Sequence, residues 1–430
     1  MSIKRFGVRA YGNGDIVHAP FVQAGKWVFG TGLRATLESG LMDPAVLRPG
    51  RPFDAAPKAQ REAAVIFETV DHFLQMAGSA MSQVARLDQY YPDPASVDPY
   101  HVARKKALAG QVAPSTSVIV SRLLNGDAAM DVQVLAATRE SGYEATRGRA
   151  EAQRLNVPST SGYAPHVRMG DLVFVAGQLA RDASGNIAAE AQVPAGQSWS
   201  GTRIQLETEY LIKNRLLPAL EAAGSALGLV LKAQVYLTRA GDLPAFWQTW
   251  SAAFEGRVPP TTVVPVVHPA FGTTAATVEI NLVAAHASKA NEVRDIECGV
   301  PRIASDMLPA RLFDGVLFVA GLMAVEDGGL CPSAAVQESA PFFYDSAAAQ
   351  MADCIGKAEK IFTAAGTHLS QITRALQFHS DLGDFRSCYM AWGEGLRHEG
   401  LPFSAVQVAP DLFVPGAKII LDLWGHVPAS

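Results

Sequence analysis

The feature that most restricts the fold of this chain is an apolar segment that occurs three times. Each copy reads as a strand that ends in a small residue and a glycine, and the copies span 26–32, 171–177 and 315–321. Their terminal glycines are 145 and 144 residues apart in a chain of 430 residues. A motif ending in Gly-Ser or Gly-Thr follows at matching intervals, at 76–79, 222–225 and 364–367. Because repetition at a fixed interval indicates a repeated structural unit, we expect three modules of about 140 residues each.

Each predicted module contains two helices among six strands. Apolar residues recur at helical spacing, with charges on the other face, over 59–76, 204–223 and 346–365. A glycine that can end a helix in the left-handed conformation follows each of these segments, at Gly78, Gly224 and Gly366. A strand comes next, and a second helix then begins near an aspartate that can cap it, at Asp98, Asp242 and Asp384. Two closing strands complete the predicted order β-β-β-α-β-α-β-β, and the last of them, at 131–137, 277–285 and 418–424, alternate with period two.

The amphipathic helices indicate how the modules pack. Both helices of a module bury one side only, so they are expected to cover one face of a mixed sheet. The other face must then be buried elsewhere, and three modules in one chain can bury it against each other. We therefore predict an α+β chain with modules at 1–140, 155–287 and 300–430, joined by polar linkers at 139–157 and 288–302.

The composition argues against several classes of protein. Thirty-six basic and 41 acidic residues give a net charge of −5 without a basic cluster, so no nucleic-acid partner is expected. The longest uncharged stretch, 258–278, contains four prolines, and the first ten residues lack an apolar signal-peptide core. No membrane association is expected, and we predict a cytoplasmic protein. The four cysteines form no CxxC pair and the ten histidines no HExxH motif, so neither a metal nor another cofactor is expected.

The order of elements, together with the small-residue motif after each first helix, resembles the RidA/YjgF family of imine and enamine deaminases. The resemblance covers nearly the whole chain three times, and the second repeat is the closest. Members of that family are homotrimers with a central sheet-lined barrel, outer helices and substrate clefts between subunits. The resemblance therefore implies three RidA-like (chorismate-mutase-like) modules that form an intramolecular pseudo-trimer, with a small-molecule substrate. Further association of pseudo-trimers into a homo-oligomer is left open.

In the deaminases of this family, an arginine in a Pro-x-Arg-Ser/Thr segment holds the substrate carboxylate. A guanidinium suits that task because it binds a carboxylate through two charge-assisted hydrogen bonds. Alignment from the last strands places Ser115, Thr261 and Ser404 at that position, so all three repeats lack the arginine. Arg34 and Arg122 are candidates to replace it; the alternative is that both are solvated surface charges.

The family's acidic position on the last strand is better retained. The resemblance assigns it to Glu279 in the second repeat and to Asp131 in the first, where either carboxylate could act with a water that attacks the imine carbon. The third repeat has Ile420 there, with Asp422 two residues further along the same face. The alternative for Glu279 is a structural acid that pairs with a neighbouring module.

Three other side chains are candidates for the clefts. His101 opens the second helix of the first repeat, at a position where family members often present a polar side chain, and it is a candidate catalytic residue. Tyr389 is its counterpart in the third repeat, and Thr31 could hydrogen-bond a substrate. The alternative for each is an ordinary packing or surface role.

Three functions remain in view. The first is a hydrolase or deaminase that acts on a C–N bond of an imine, enamine or related compound in an interdomain cleft. The second is another reaction on the same fold, of a chorismatase-like or ring-cleaving kind, because fusion frees the three clefts to diverge. The third is a non-catalytic binding or scaffold protein, which the missing arginines favour. Fold alone does not decide among them.

Overall fold

The computed structural model describes residues 3–47, 56–149, 157, 160–196, 201–336, 339 and 344–428. This part of the chain is a mixed α+β structure with several sheets. Its helices are α1 (Pro44–Leu47), α2 (Lys58–Met76), α3 (Val97–Ala107), α4 (Arg203–Leu211), α5 (Leu217–Ala222), α6 (Leu243–Ala253), α7 (Ser346–Ala365), α8 (Phe385–Met390) and α9 (Glu394–Glu399). Within the described ranges, no helix is long and apolar enough to span a membrane.

The long helices form where the apolar spacing predicts them. Helix α2 buries a stripe of alanine, isoleucine, phenylalanine, valine and leucine side chains against its sheet. Helix α7 begins at Asp345, whose carboxylate accepts the amide of Ala348 at 3.0 Å, and it ends at Gly366 in the left-handed conformation. The predicted helix at 204–223 is interrupted by a π-helical turn over Ile212–Leu216. Pro218 lies just beyond this turn and lacks the amide that a continuous α-helix would use.

The strands fall into three groups along the chain. The first group is β1 (Lys4–Phe6), β2 (Arg9–Tyr11), β3 (Ile16–His18), β4 (Phe21–Ala24), β5 (Trp27–Leu33), β6 (Val84–Tyr91), β7 (Ser115–Ile119), β8 (Arg122–Leu123) and β9 (Asp131–Ala137). The second is β10 (Ala145–Arg147), β11 (His166–Met169), β12 (Leu172–Gln178), β13 (Val230–Leu237), β14 (Thr261–Pro265) and β15 (Val278–Ala285). The third is β16 (Arg294–Ile296), β17 (Ala310–Phe313), β18 (Val316–Val319), β19 (Val325–Glu326), β20 (Gly329–Leu330), β21 (Ile372–His379), β22 (Phe403–Gln407) and β23 (Ile419–His426).

Three large sheets share one order of strands. The first sheet runs β1-β4-β5-β9-β6-β7, and the second runs β10-β11-β12-β15-β13-β14. The third runs β16-β17-β18-β23-β21-β22 and gains β8 from the first group at its edge. In each sheet one pair is parallel, namely β6 with β7, β13 with β14 and β21 with β22. In each group, a long helix separates the first three strands of the large sheet from the fourth, and a second helix separates the fourth strand from the last two. This is the predicted order of elements.

The second and third sheets begin earlier than the modules predicted from sequence. Strand β10 lies inside the predicted linker at 139–157, and β16 lies inside the one at 288–302. Both supply the first edge strand of the sheet that follows them. Within the first linker, residues 150–156 lie outside the described residues. These polar segments were predicted to be linkers because an exposed edge strand carries little apolar signal.

The three sheets pack against one another through their inner faces. Tyr90, Tyr236 and Phe378 occupy corresponding positions on β6, β13 and β21, with ring centroids 5.9 to 6.5 Å apart. The hydroxyls of Tyr90 and Tyr236 are 2.9 Å apart. One buried cluster also joins Trp27, Phe174 and Trp424 across the sheets, so the inner faces form a common core.

Candidate functional site

The hydrogen bonds of the parallel strand pairs determine which residues correspond in the three sheets. Pro114, Pro260 and Pro402 each accept the backbone amide of the central strand, at 2.8 to 3.0 Å. The second residue after each proline is therefore Thr116, Thr262 or Ser404, and these pair with Asp88, Gln234 and Leu376. This register corrects the predicted alignment by one residue in the first two repeats. The adjacent prolines Pro259 and Pro260 allow either alignment from sequence alone.

The side chains of Ser115 and Thr261 consequently face the helices α3 and α6 that follow the central strands of their own sheets. Ser115 accepts a hydrogen bond from Arg104 at 2.7 Å. Thr261 donates to the carbonyl of Pro259 at 2.8 Å and lies 3.3 Å from the indole nitrogen of Trp250. A shift of one residue along a strand moves a side chain to the opposite face, so neither of these hydroxyls reaches another sheet.

The corresponding hydroxyls each contact the last strand of a different sheet. Ser404 donates to Asp131 at 2.8 Å across what we call the first–third junction. Thr116 accepts from Asn281 at 2.9 Å across the first–second junction, and Thr262 donates to Asp422 at 2.5 Å across the second–third junction. The three junctions are therefore built alike but carry different side chains.

The first–third junction contains a buried ion pair. Arg34 donates to Asp131 at 2.7 Å, and their side chains are 5% and 0% exposed. Gln133 donates to the other carboxylate oxygen at 2.6 Å, beside the bond from Ser404. Burial raises the pKa of Asp131, while Arg34, Ser404 and Gln133 oppose that increase by favouring the ionised form.

A pocket of about 240 Å³ opens beside this ion pair. Its walls are mostly apolar and come from both sheets and the hairpin β2–β3; the lining includes Tyr11, Ile16, Leu124, Phe385, Phe403 and Arg34. A smaller cavity adjoins it and is lined by Arg9, His18, Gly32 and Arg34. Arg34 borders both, so its guanidinium lies between a buried carboxylate and an aromatic pocket. A small molecule with one charged end fits such a lining.

His18 is held neutral in this region. Its Nε2 lies 2.9 Å from the carbonyl of Thr31. Burial, with further contributions from Arg34 and Arg9, lowers the pKa of His18 to about 3. At neutral pH the imidazole therefore carries no charge, and the arginines supply the positive potential of the smaller cavity.

The hairpin β2–β3 covers the first–third junction. Leu401 exchanges backbone hydrogen bonds with Val17 and Ala19 at 3.1 and 3.0 Å. The hydroxyl of Tyr389 accepts from the amide of Val17 at 2.8 Å and donates to its carbonyl at 3.0 Å. Tyr389 therefore anchors the covering strand. The sequence analysis did not predict that this hairpin covers the junction. Arg9 and Tyr11 on one strand, and Ile16 and His18 on the other, are two residues apart, as side chains on one face of a strand are.

The first–second junction contains Glu279. Its carboxylate lies so close to Gly177 that a Cβ there would be 1.9 Å from Oε1. Burial, which outweighs the opposing charge of Arg181 and acts with that of Asp88, raises the pKa of Glu279 to about 8. Tyr163 lies near enough that Glu279 adds to the effect of burial in raising the pKa of its hydroxyl. Among the described residues, no hydrogen bond to this carboxylate is found.

His101 is separated from Asp131 by its position on α3. Its Nδ1 lies 3.9 Å from Asp98, and burial together with Arg104 lowers the pKa of His101 to about 3. Arg104 donates to Ser161, in the segment before β11, at 2.9 Å from the carbonyl. His101 therefore belongs to the first–second side of the molecule, as Glu279 does. The predicted catalytic residues lie in two junctions and do not form one site.

Two predicted binding residues lie away from the pocket lining. Thr31 is fully buried on β5, and its hydroxyl has no hydrogen-bond partner within the described ranges. Arg122 is exposed on β8, at the edge of the third sheet. Of the two arginines considered from sequence, Arg34 alone adjoins a predicted carboxylate.

The second–third junction has no free carboxylate at the family's acidic position. Ile420 lies opposite Phe378, as Glu279 lies opposite Tyr236. Asp422 is instead paired with Lys232 at 2.7 Å, and both side chains are buried. No cluster of three metal-ligating side chains occurs in the described ranges.

Comparison with known proteins identifies one part of the chain. Residues 154–286 match the model of a family described as endoribonuclease L-PSP. Residues 154–286 form a RidA/YjgF-type domain. This RidA/YjgF-type domain contains the whole second sheet except β10, together with Gly177 and Glu279. It is the repeat in which the closest resemblance was expected from sequence.

Solved structures of RidA/YjgF proteins are similar to about a third of the chain. RidA from the Antarctic bacterium Psychrobacter is 23% identical, over 30% of this chain and 91% of its own, with a TM-score of 0.25. A YjgF-family protein from Mycobacterium tuberculosis is 24% identical, over 33% and 99%, with a TM-score of 0.25. Yeast Mmf1 is 18% identical, over 33% and 98%, with a TM-score of 0.27. None of the curated proteins matches the chain.

Proposed function

We propose that this chain is a hydrolase that breaks the C–N bond of a small imine or enamine in the first–third junction. The observation that carries the proposal is the Arg34–Asp131 pair, which is buried, bonded to Ser404 of the third sheet and adjacent to an aromatic pocket. The same proposal treats the three sheets as three RidA-like repeats, near 1–140, 155–287 and 300–430, that form an intramolecular pseudo-trimer. Their shared strand order and the Tyr90, Tyr236 and Phe378 contacts support it.

In this proposal Asp131 orients and deprotonates the attacking water. As the water oxygen adds to the imine carbon, Asp131 takes one of its protons and passes it to the nitrogen, which gives a carbinolamine. The carbinolamine hydroxyl then gives its proton through Asp131 to the nitrogen, so that the carbonyl forms as the C–N bond breaks and ammonia leaves. An ionised Asp131 suits the first step because a carboxylate is a proton acceptor that can also fix the position of a water. Ser404 and Gln133 hold that carboxylate in one orientation.

Arg34 takes the place of the missing family arginine. Nη1 of its guanidinium bonds Asp131, and the side chain borders both cavities. An arginine has five N–H donors, so it can bind Asp131 and a substrate carboxylate together. The aromatic walls, Phe385 and Phe403 among them, would then hold the apolar part of the substrate.

A second candidate centre is Glu279 in the first–second junction. Its raised pKa, about 8, means that it is protonated at neutral pH and could act as a general acid. Arg181 is the nearby cation that opposes this effect. This candidate is weaker because, among the described residues, no cation forms an ion pair with Glu279 as Arg34 does with Asp131.

The test is an imine hydrolysis assay with two matched amide variants. An amino-acid oxidase generates imines with apolar, aromatic or neutral side chains, and ammonia formation is followed with wild type, Asp131→Asn and Glu279→Gln. We expect acceleration by wild type and its loss in Asp131→Asn, while Glu279→Gln retains most of it. The reverse pattern would transfer the activity to the first–second junction.

The same assay separates the alternative functions. If wild type accelerates no imine, hydrolysis of this class is excluded, and calorimetric titration with small aromatic carboxylates follows. Binding that Arg34→Gln abolishes would then leave a binding protein or an enzyme of another reaction type. We propose small molecules as the partners, and neither nucleic acid nor a membrane. Association of pseudo-trimers would be read from the mass of the native protein in solution.

A further inference from the structure

Five charged side chains are buried where the inner faces of the three sheets meet. They are Arg86, Asp88, Lys232, Arg374 and Asp422, and each is at most 5% exposed. Three are cations and two are anions, so the group carries a net positive charge. Burying an unbalanced charge is expensive because the interior cannot replace its hydration.

Two of the cations have carboxylate partners. Arg86 binds Asp88 through two hydrogen bonds of 3.0 and 2.9 Å and also donates to Asn281 at 2.6 Å. Lys232 pairs with Asp422 at 2.7 Å. These contacts account for both buried acids.

Arg374 is the cation without an acid of its own. Among the described residues, Asp88 is its only carboxylate within salt-bridge distance, at 3.8 Å, and the same oxygen already accepts from Arg86. Its Nε is buried without a hydrogen-bond partner. One face of the guanidinium lies 4.6 Å from the ring of Trp424, which shields it from solvent but makes no hydrogen bond. Arg374 stays positively charged in this position, because an arginine does not lose its proton in a protein.

A small cavity adjoins the guanidinium. It is lined by Arg86, Asp88, Gln133, Arg374 and Trp424, with Phe29, Gly30, Val134 and Leu135. It has room for about one water-sized species. The cavity therefore combines a net positive charge, an unused N–H donor and space for a monatomic ion.

We propose that this cavity binds one halide ion, which accepts from Arg374 and balances the buried charge. The cavity lies between the first and third sheets, next to Gln133, which also donates to Asp131, and halide binding there needs no catalytic activity. A polyatomic anion such as sulfate is too large for it. A neutral water would satisfy the donor but leave the charge unbalanced, which is why the geometry and charge together favour an anion.

The direct test is diffraction from wild-type crystals grown in sodium bromide, with data collected at the bromine absorption edge. We expect one internal anomalous peak beside the guanidinium of Arg374, in addition to any surface ions. The absence of this peak at high bromide concentration would overturn the proposal, because a water or an empty cavity would then occupy the position.

A second test measures thermal unfolding in sodium chloride and in sodium gluconate at equal ionic strength. Wild type should unfold at a higher temperature in chloride, because a ligand that binds only the folded state stabilises it. Arg374→Gln should lose that difference, while Arg122→Gln, which removes an exposed arginine, should keep it. Equal midpoints for wild type in the two salts would contradict the proposal even if Arg374→Gln does not fold.

Discussion

Glu279→Gln offers a quantitative test of how deeply the first–second junction is buried. The substitution preserves the shape of the side chain and removes its ability to ionise. In the folded chain the pKa of Glu279 is about 8, against an ordinary value of 4.5. Between these two pKa values the folded state therefore keeps a proton that the unfolded state releases, so the free energy of unfolding falls as the pH rises.

The size of the effect follows from the difference between those two pKa values. A difference of about 3.5 pKa units corresponds to about 5 kcal/mol once both states are ionised, and about 3.5 kcal/mol of it develops between pH 5 and pH 8. This part of the free energy of unfolding is fully present below the pKa of Glu279 in the unfolded chain, and it is lost as the pH rises through the pKa of Glu279 in the folded chain. Glu279→Gln removes this dependence, so the free energy of unfolding of the variant should rise by about 3.5 kcal/mol relative to wild type between pH 5 and pH 8.

Urea unfolding at pH 5, 6, 7 and 8 measures this difference. Glu221→Gln is a suitable control because Glu221 is an exposed acid on α5 of the same sheet's helix layer. All other titrating groups are common to wild type and variant, so their effects cancel in the comparison. Parallel pH profiles for wild type and Glu279→Gln would refute the reasoning, since Glu279 would then be solvated in the folded state.

Three further perturbations test the other contacts. Arg34→Gln leaves Asp131 buried without its cation and should lower the free energy of unfolding by about 3–5 kcal/mol, with a smaller loss in Arg34→Gln/Asp131→Asn, as measured by urea unfolding. As the pH is lowered, the initial rate of imine hydrolysis should begin to fall at a pH above the ordinary pKa of an aspartate, because burial raises the pKa of Asp131 and its protonated form cannot accept a proton. A rate that stays unchanged down to pH 4 would contradict this role. Tyr389→Phe removes both hydrogen bonds to Val17 and should speed hydrogen exchange of the hairpin β2–β3 without changing that of β21.

Much of the fold could be predicted from the sequence because the chain repeats its signals. The helical spacing at 59–76 and 346–365, with Gly366 as a left-handed terminus, corresponds to α2 and α7 nearly residue by residue. The period-two alternation likewise located the last strand of each sheet, including β15 around Glu279. Edge strands β10 and β16 were missed because each is only three residues long and largely unburied, which is too short for a period-two pattern to be recognised.

The candidate site was harder to predict because it depends on contacts between distant parts of the chain. Asp131 and Arg34 were both identified as candidates, but nothing in their spacing indicated that they would pair with Ser404, 273 residues from Asp131. Thr116 and Thr262 were missed by one residue, and in a strand one residue is the difference between a side chain in the junction and one in the module core. The contribution of Phe385 and Phe403 to the pocket had no local signal at all.

The segments that cover the three junctions are built alike, and one difference among them bears on where a substrate could enter. Ala19, Ala164 and Leu308 each donate a backbone hydrogen bond across a junction, to Leu401, Val112 and Val258. Each segment connects two neighbouring strands of one sheet, namely β1 with β4, β10 with β11 and β16 with β17. The segment at the first–third junction differs because it forms the hairpin β2–β3, whose Tyr11 and Ile16 line the pocket beside the Arg34–Asp131 pair. Separation of this hairpin from Leu401 and Tyr389 would therefore widen the entrance to that ion pair.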